Sequence, residues 1–249
     1  MATYDPIGDA YDIVYPDTAE RVPFVKNLLA MFGKKTVLDL GIGTGLFAIP
    51  LHQAGFKVEG LDISGVMIDV LRLKAPDIKV HQGDIRYFAL DKRYEAILAL
   101  SSVLVMVNNQ QEIKQILQCA YEHLAPEGLL LLELPNHPVE IALGNNSQEV
   151  HFSDGHGTII VIQSGVEDHQ WKETWHIFRH SGNGFSHEKV LCQEFLYSPE
   201  NLIEQLREVG LGVIEEYGDL LGNRFDEASS WRRVLICKKI GAEGQGSKN

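Results

Sequence analysis

The sequence predicts an α/β protein: a doubly wound, mostly parallel sheet of seven strands, with an antiparallel β segment inserted late in the chain. Two observations carry this. Up to Glu133, short apolar runs alternate with stretches whose apolar residues recur at i, i+3 and i+4, the βαβα order of a parallel sheet. Between Pro135 and Tyr197 that alternation stops, and β-rich runs separated by turn residues replace it.

The elements follow in order. Residues 4–15 are rich in Tyr and Asp, and a helix there would put Tyr11 and Tyr15 on one face. Pro16 divides this segment from a helix over 19–32, with Val22, Val25, Leu28, Leu29 and Phe32 at helical spacing. Residues 37–40 read as a strand covered on both faces. It runs into Gly41-Ile42-Gly43-Thr44-Gly45, where glycines let the backbone turn sharply and approach a ligand. A helix is expected over 46–53, with its N–H groups aimed back into the turn.

Residues 57–61 form the second strand, ending at Asp62. Ser64 is placed to cap a helix over 66–73, with Val66, Met67, Val70 and Leu71 inward. The third strand is 78–81, followed by Gly83-Asp84-Ile85; the fourth is 94–100, followed by Ser101 and Ser102. Residues 109–124 are an amphipathic helix, stopped by Ala125-Pro126-Glu127-Gly128, and 129–133 form a leucine-rich fifth strand. Pro135-Asn136-His137-Pro138 then breaks the pattern.

The inserted strands are expected at 149–152, 158–163, 171–180 and 189–196, with turns at 155–157, 167–169 and 181–184. Alternation puts Trp171, Trp175 and Ile177 on one face as a packing surface, and His176 and His180 on the other. A helix from Ser198 to Val209 and strands at 213–217 and 233–238 close the core; residues 241–249 are expected to be disordered. The predicted organisation is a core of residues 1–134 and 198–240, with residues 135–197 as an inserted lid. In such sheets ligands sit outside the C-terminal strand ends, so Asp39, Asp62, Asp84, Ser101 and Glu133 converge on one crevice.

The charge narrows the ligand. With Lys+Arg 22 against Asp+Glu 34, the net charge is −12, which argues against nucleic acid or an anionic membrane as substrate. Cys119, Cys192 and Cys237 are dispersed and odd in number, as small buried residues of a reducing cytoplasm would be. No secretory leader or membrane span is expected, and no metal: the histidines of the insertion, among them His176 and His180, lack a recognised third ligand. The glycines run G-x-G-x-G, and Leu46 stands where a dinucleotide fingerprint would place its last glycine. Asp39 beside the turn would repel a pyrophosphate and suit a cationic ligand.

Val37–Gly45 resembles the first motif of class I S-adenosylmethionine-dependent methyltransferases, Leu61-Asp62-Ile63-Ser64 their second-strand acid, and Gly83-Asp84-Ile85 the acidic turn after their third strand. Tyr11-Asp12-Ile13-Val14-Tyr15, His81-Gln82-Gly83-Asp84 and Glu122-His123-Leu124 are similar to the small-molecule members, the aminosugar N-methyltransferases and, more distantly, the glycine N-methyltransferases. The resemblance implies a Rossmann-like sheet with an antiparallel last strand and S-adenosylmethionine as cofactor, left as S-adenosylhomocysteine.

It also implies roles for residues. Gly41, Gly43 and Gly45 approach the methionine portion and ribose, Asp39 the ammonium side, and Asp62 both ribose hydroxyls. Asp84 and Ile85 meet the adenine edge, Ile63 and Met67 its faces, and Leu100 and Ser101 the floor near the methyl. Transfer to an N or O nucleophile of a small metabolite is an in-line displacement that rests largely on placement. If a general base is needed, Tyr11, Tyr15 and His137 are the candidates, with Glu133 behind them. Two rival functions stay open: an NAD-type oxidoreductase, and a non-catalytic cofactor-binding module. A homodimer paired through the inserted sheet also stays open.

Overall fold

The computed structural model describes residues 3–16, 19–144, 147–153, 157–167, 170–182 and 184–240. Parts of the expected inserted turns (residues 154–156, 168–169 and 183), and the tail 241–249, lie outside them.

The chain begins with a short helix α1 (Ala10–Val14) and α2 (Val22–Met31), then β1 (Thr36–Leu40), α3 (Ala48–Gln53), β2 (Lys57–Asp62), α4 (Gly65–Lys74), β3 (Lys79–Gln82) and β4 (Tyr94–Ala99). After α5 (Gln110–His123) come β5 (Leu124–Pro135), α6 (His137–Gly144), β6 (Ser147–Ser153), β7 (Thr158–Glu167), β8 (Gln170–Ser181) and β9 (Gly184–Phe195). The chain closes with α7 (Pro199–Glu208), β10 (Leu211–Tyr217) and β11 (Arg232–Lys239).

The seven-stranded sheet has the order β10-β11-β5-β4-β1-β2-β3. Its β5-to-β3 portion is parallel, whereas β11 runs antiparallel to both neighbours. The order reverses between β1 and β4, which opens a crevice at their C-terminal ends. Apolar clusters cover both faces, one around Leu38, Leu40, Ile97 and Leu132 and the other around Val37, Leu51, Leu98 and Leu131. Hence the central strands read as continuous apolar runs. The helix starts follow from local chemistry: Ser64 accepts from Met67 N–H at 3.2 Å, Asn109 from Glu112 N–H at 3.1 Å, and Ser198 from Asn201 N–H at 3.3 Å.

The strands β6, β7, β8 and β9 form a separate antiparallel sheet. Its inner face, with Ile160, Ile162, Trp175, Ile177 and Val190, packs on Ile7, Ala10 and Val14 of the N-terminal segment and on Met67. The segment is thus held between the two sheets. Asp5 accepts from Ser64 Oγ at 2.6 Å, Asp12 accepts from Thr44 Oγ1 at 2.5 Å and pairs with Lys74 at 2.7 Å, and Arg179 of β8 donates to the Ile7 carbonyl at 3.1 Å.

Several boundaries depart from expectation for physical reasons. Pro135-Asn136-His137-Pro138 does not end regular structure: it begins α6, because Pro138 sits in a first turn where its missing N–H costs nothing. The helix after the glycine turn starts at Ala48, leaving Leu46 and Phe47 in the turn. In α4 it is Ile68, not Val66, that joins Met67 and Leu71 in the interior; Val66 is exposed. The Ala125-Pro126-Glu127-Gly128 break lies inside β5, as a bulge between the pairs Tyr94↔Leu124 and Ala96↔Leu129, with Glu127 at φ 58°.

Candidate active site

A cavity of about 440 Å³ opens at the C-terminal ends of the parallel strands. The core supplies Asp39, Gly41, Gly43, Asp62, Ile63, Met67, Asp84, Ile85, Leu100 and Ser101, each of them expected from the sequence. Tyr4 and Tyr11 close it from the N-terminal segment, and Trp171, Glu173, Leu191, Cys192, Gln193 and Glu194 close it from β8 and β9.

The expected turn does hold the chain close to the strand ends. Gly41 has φ +68°, and a Cβ there would collide with Val103. Gly43 N–H donates to Asp62 Oδ2 at 2.8 Å, and Ser64 N–H donates to Asp62 Oδ1 at 2.8 Å. The Asp62 carboxylate is thereby aimed, with lone pairs left for a ligand. Burial raises its pKa, and the backbone N–H groups of Ser64 and Gly43 oppose that. Burial, with Asp62 adding repulsion, pushes the Asp39 carboxyl up to about 8.

Gly45 does not line the cavity. Its φ is +90°, and a Cβ there would press on Leu71 and Ile49, so its small size serves core packing. Asp84 is already engaged: Arg86 Nε donates to both its oxygens at 3.0 Å and Arg86 Nη2 to Oδ2 at 2.6 Å. That fork lowers the Asp84 pKa and limits what the side chain can offer an adenine amino group. Arg86 also meets Glu112 at 3.1 Å. Among the described residues it is the single Lys or Arg lining the cavity, against the carboxylates of Asp39, Asp62, Asp84, Glu173 and Glu194.

Ser101 and Ser102 hold left-handed backbone, φ 52° and 63°. Non-glycine residues adopt it at a cost and cluster at functional sites when they do. Here the strain is held by Glu133, whose side chain accepts from Ser101 N–H at 2.8 Å and whose carbonyl accepts from Ser102 N–H at 3.2 Å. Glu133 itself is buried behind the floor and does not line the cavity.

Of the candidate bases only Tyr11 reaches the cavity. Burial pushes its hydroxyl well above the usual phenol range, so it stays protonated at neutral pH. Tyr15 packs beyond it with its ring tilted, 4.8 Å from the Tyr11 ring and 6.4 Å from Trp175. His137 departs from the expected loop position: it is buried in the first turn of α6, against the Tyr197 ring, outside the cavity lining. Of the two prolines expected to hold it at the crevice edge, Pro135 ends β5 and Pro138 sits in the first turn of α6.

Glu173 and Glu194 are cavity residues that the sequence reading passes over. The signal was present in the alternation of β8, which sets Glu173 on the same inward face as Trp171 and Trp175. Its carboxylate accepts from Trp175 Nε1 at 3.1 Å and Trp171 Nε1 at 3.5 Å, and burial raises its pKa.

Comparison with known proteins agrees with this geometry. Residues 19–216 match the family described as "Methyltransferase domain". A dTDP-3-amino-3,6-dideoxy-alpha-D-glucopyranose N,N-dimethyltransferase of Streptomyces fradiae is 32% identical over 51% of this chain and 52% of its own length. The chain therefore spans about half of that relative. A dTDP-3-amino-3,4,6-trideoxy-alpha-D-glucopyranose N,N-dimethyltransferase of Streptomyces venezuelae is 26% identical over 65% of this chain and 70% of its own. In fold, the chain superposes on an S-adenosylmethionine-dependent methyltransferase from Clostridium acetobutylicum with a TM-score of 0.83, at 15% identity, covering 96% of this chain and 100% of that one. No helix among the described residues is long and apolar enough to cross a membrane. With its Rossmann-like sheet, the chain belongs to the methyltransferase-domain family.

Proposed function

We propose that the protein transfers the methyl group of S-adenosylmethionine to an amine of a small-molecule acceptor. The carrying observation is the pair Glu173 and Glu194 on the wall that the inserted sheet turns to the cavity. Desolvated carboxylates favour a cationic partner, and an ammonium fits where a neutral hydroxyl gains much less. The Streptomyces relatives, named for aminosugar substrates, support the same class.

In this reading Asp39 takes the ammonium of the cofactor, Asp62 its ribose hydroxyls, and Gly41 and Gly43 the methionine chain. Ile63, Met67 and Ile85 pack on the adenine, with Asp84 at its edge. Leu100 and Ser101 form the floor under the sulfonium. The leaving thioether needs no proton. The acceptor ammonium must lose one, and Glu173, whose pKa burial has raised, is the group placed to accept it. Residues 135–197 act as the lid that brings the acceptor in line and excludes water, and the core is residues 1–134 and 198–240. The setting is the cytoplasm, in keeping with three free cysteines, and the exposed apolar residues of the inserted sheet support pairing as a homodimer. The net charge of −12 disfavours nucleic acid.

The test is release of S-adenosylhomocysteine over a panel of small amines and their hydroxyl counterparts. Amines should turn over, and Glu173→Gln should lower kcat/KM by roughly 10²–10⁴-fold with cofactor affinity kept. Turnover of hydroxyls alone would overturn the amine assignment. Cofactor binding with no turnover of any acceptor would favour a non-catalytic module.

A further inference from the structure

A second polar cluster stands behind the cavity wall. Asn136 donates from Nδ2 to the carbonyls of Glu227 at 3.0 Å and Ser230 at 2.8 Å, which fixes the start of α6. His137 and Glu140, three residues apart, then fall on one side of the helix. β9 brings Glu194 to them. Ligand-capable atoms of the three lie within 4.8 Å of one another, and His137 Nε2 is 3.6 Å from Glu194 Oε2.

His137 is 4% exposed, and neither of its ring nitrogens has a hydrogen-bond partner. A buried imidazole ordinarily satisfies both, so an unpartnered ring aimed at two carboxylates asks for an explanation. The groups facing the cluster are unbalanced. Arg232 Nη1 lies 3.4 Å from Glu140 Oε1 and donates to Ser102 Oγ at 2.9 Å. Around it stand Glu133, Glu140, Glu173 and Glu194. Carboxylates outnumber the guanidinium, and Arg232 engages one Glu140 oxygen while leaving the other.

We propose that His137, Glu140 and Glu194 form a site for a divalent transition metal ion of the zinc type. One imidazole and two carboxylates are a donor set such ions accept. Ligands about 2.0–2.1 Å from a tetrahedral ion are about 3.3 Å apart, close to the His137–Glu194 separation. The ion would fasten α6, which continues from the central sheet, to β9 of the inserted sheet, and so hold Glu194 against the cavity wall. Glu194 is shared with the cavity wall: with the ion bound it serves as a ligand and Glu173 is the carboxylate left to meet the acceptor, while the metal proposal itself does not require that the acceptor be an amine.

The experiment is titration of the tag-free, metal-free full chain with cobalt(II) near neutral pH, read by visible absorption, alongside calorimetric unfolding with and without zinc. The parent should develop the absorption of a low-symmetry cobalt centre and unfold at higher temperature with zinc. His137→Ala and Glu140→Gln should each weaken binding by at least about tenfold, with retained S-adenosylhomocysteine binding showing that they fold. His176→Ala breaks the exposed His176–His187 contact (3.0 Å) on the far face of the sheet and should leave the absorption unchanged. Should His137→Ala fail to fold, the isosteric Glu140→Gln decides. A parent without cobalt absorption, or a signal lost with His176 rather than with His137 or Glu140, overturns the proposal.

Discussion

Asp39 and Asp62 stand at neighbouring strand ends, and burial raises the pKa of both. For Asp39 the folded value is about 8 against 3.8 for the free side chain. Below the lower value the carboxyl is protonated in both folded and unfolded chains. Between the two, the unfolded chain gives up its proton while the folded chain keeps it, so stability falls as pH rises through this window. A cationic ligand reverses the preference, because it is held by the ionised form. Asp39→Asn should therefore unfold at higher temperature than the parent near pH 8, by about 2–4 °C for each kcal/mol recovered. It should also lose the rise in cofactor affinity that the parent shows as pH approaches 8. Calorimetric unfolding and cofactor titration at several pH values measure both. Equal melting temperatures near pH 8 would mean that Asp39 is ionised in the free protein at little cost.

At the level of elements, the floor of the cavity is a strand end under strain. Ser101 has φ 52°, a conformation glycine adopts freely and a β-branched residue resists. Ser101→Gly should stabilise the ligand-free protein by up to about 1 kcal/mol, and Ser101→Val should destabilise it by about 1–3 kcal/mol. Urea midpoints with unchanged slope give the comparison; a Val variant as stable as the parent would remove the strain argument. This strain was not legible in the sequence, because two serines after an apolar strand carry no mark of their φ. The glycine turn was legible because its backbone path demands glycine, and Asp62 because an acid ending an apolar strand stands out; the structure shows its carboxylate held by the Gly43 and Ser64 N–H groups. α6 was not, since Pro135 and Pro138 look like a break until Pro138 is set in a first turn. Glu173 was hidden by its company: beside Trp171 and Trp175 the strand reads as a packing face, and only the closed sheet shows it directed into the cavity.

At the level of the whole molecule, charge and exposed apolar surface oppose each other. The face of the inserted sheet turned from the core carries Val150, Phe152 and Phe185, between 46% and 66% exposed. A cluster of this kind marks an interaction surface. Two copies of a chain carrying −12 repel at long range, and salt screens that repulsion within about 10 Å at 0.1 M. Light scattering should therefore show a dimer that tightens with salt, and the double variant Phe152→Glu, Phe185→Glu should be monomeric. A parent that stays monomeric at every salt concentration would rule out pairing through this face.

The N-terminal segment held between the two sheets also sets an order of assembly during synthesis. Ile7 and Arg179 meet across 172 positions, and Ile7, Ala10 and Val14 rest on Trp175 and Ile177. A ribosome has made the glycine turn and both acidic strand ends long before it makes β8. Until then Trp175 and Ile177 are missing from the cluster that covers the apolar side of the segment, and the chamber above Asp39 and Asp62 stands open on that side. The growing chain therefore carries a half-built chamber through most of its translation, and the wall and the segment close on it together when β8 arrives.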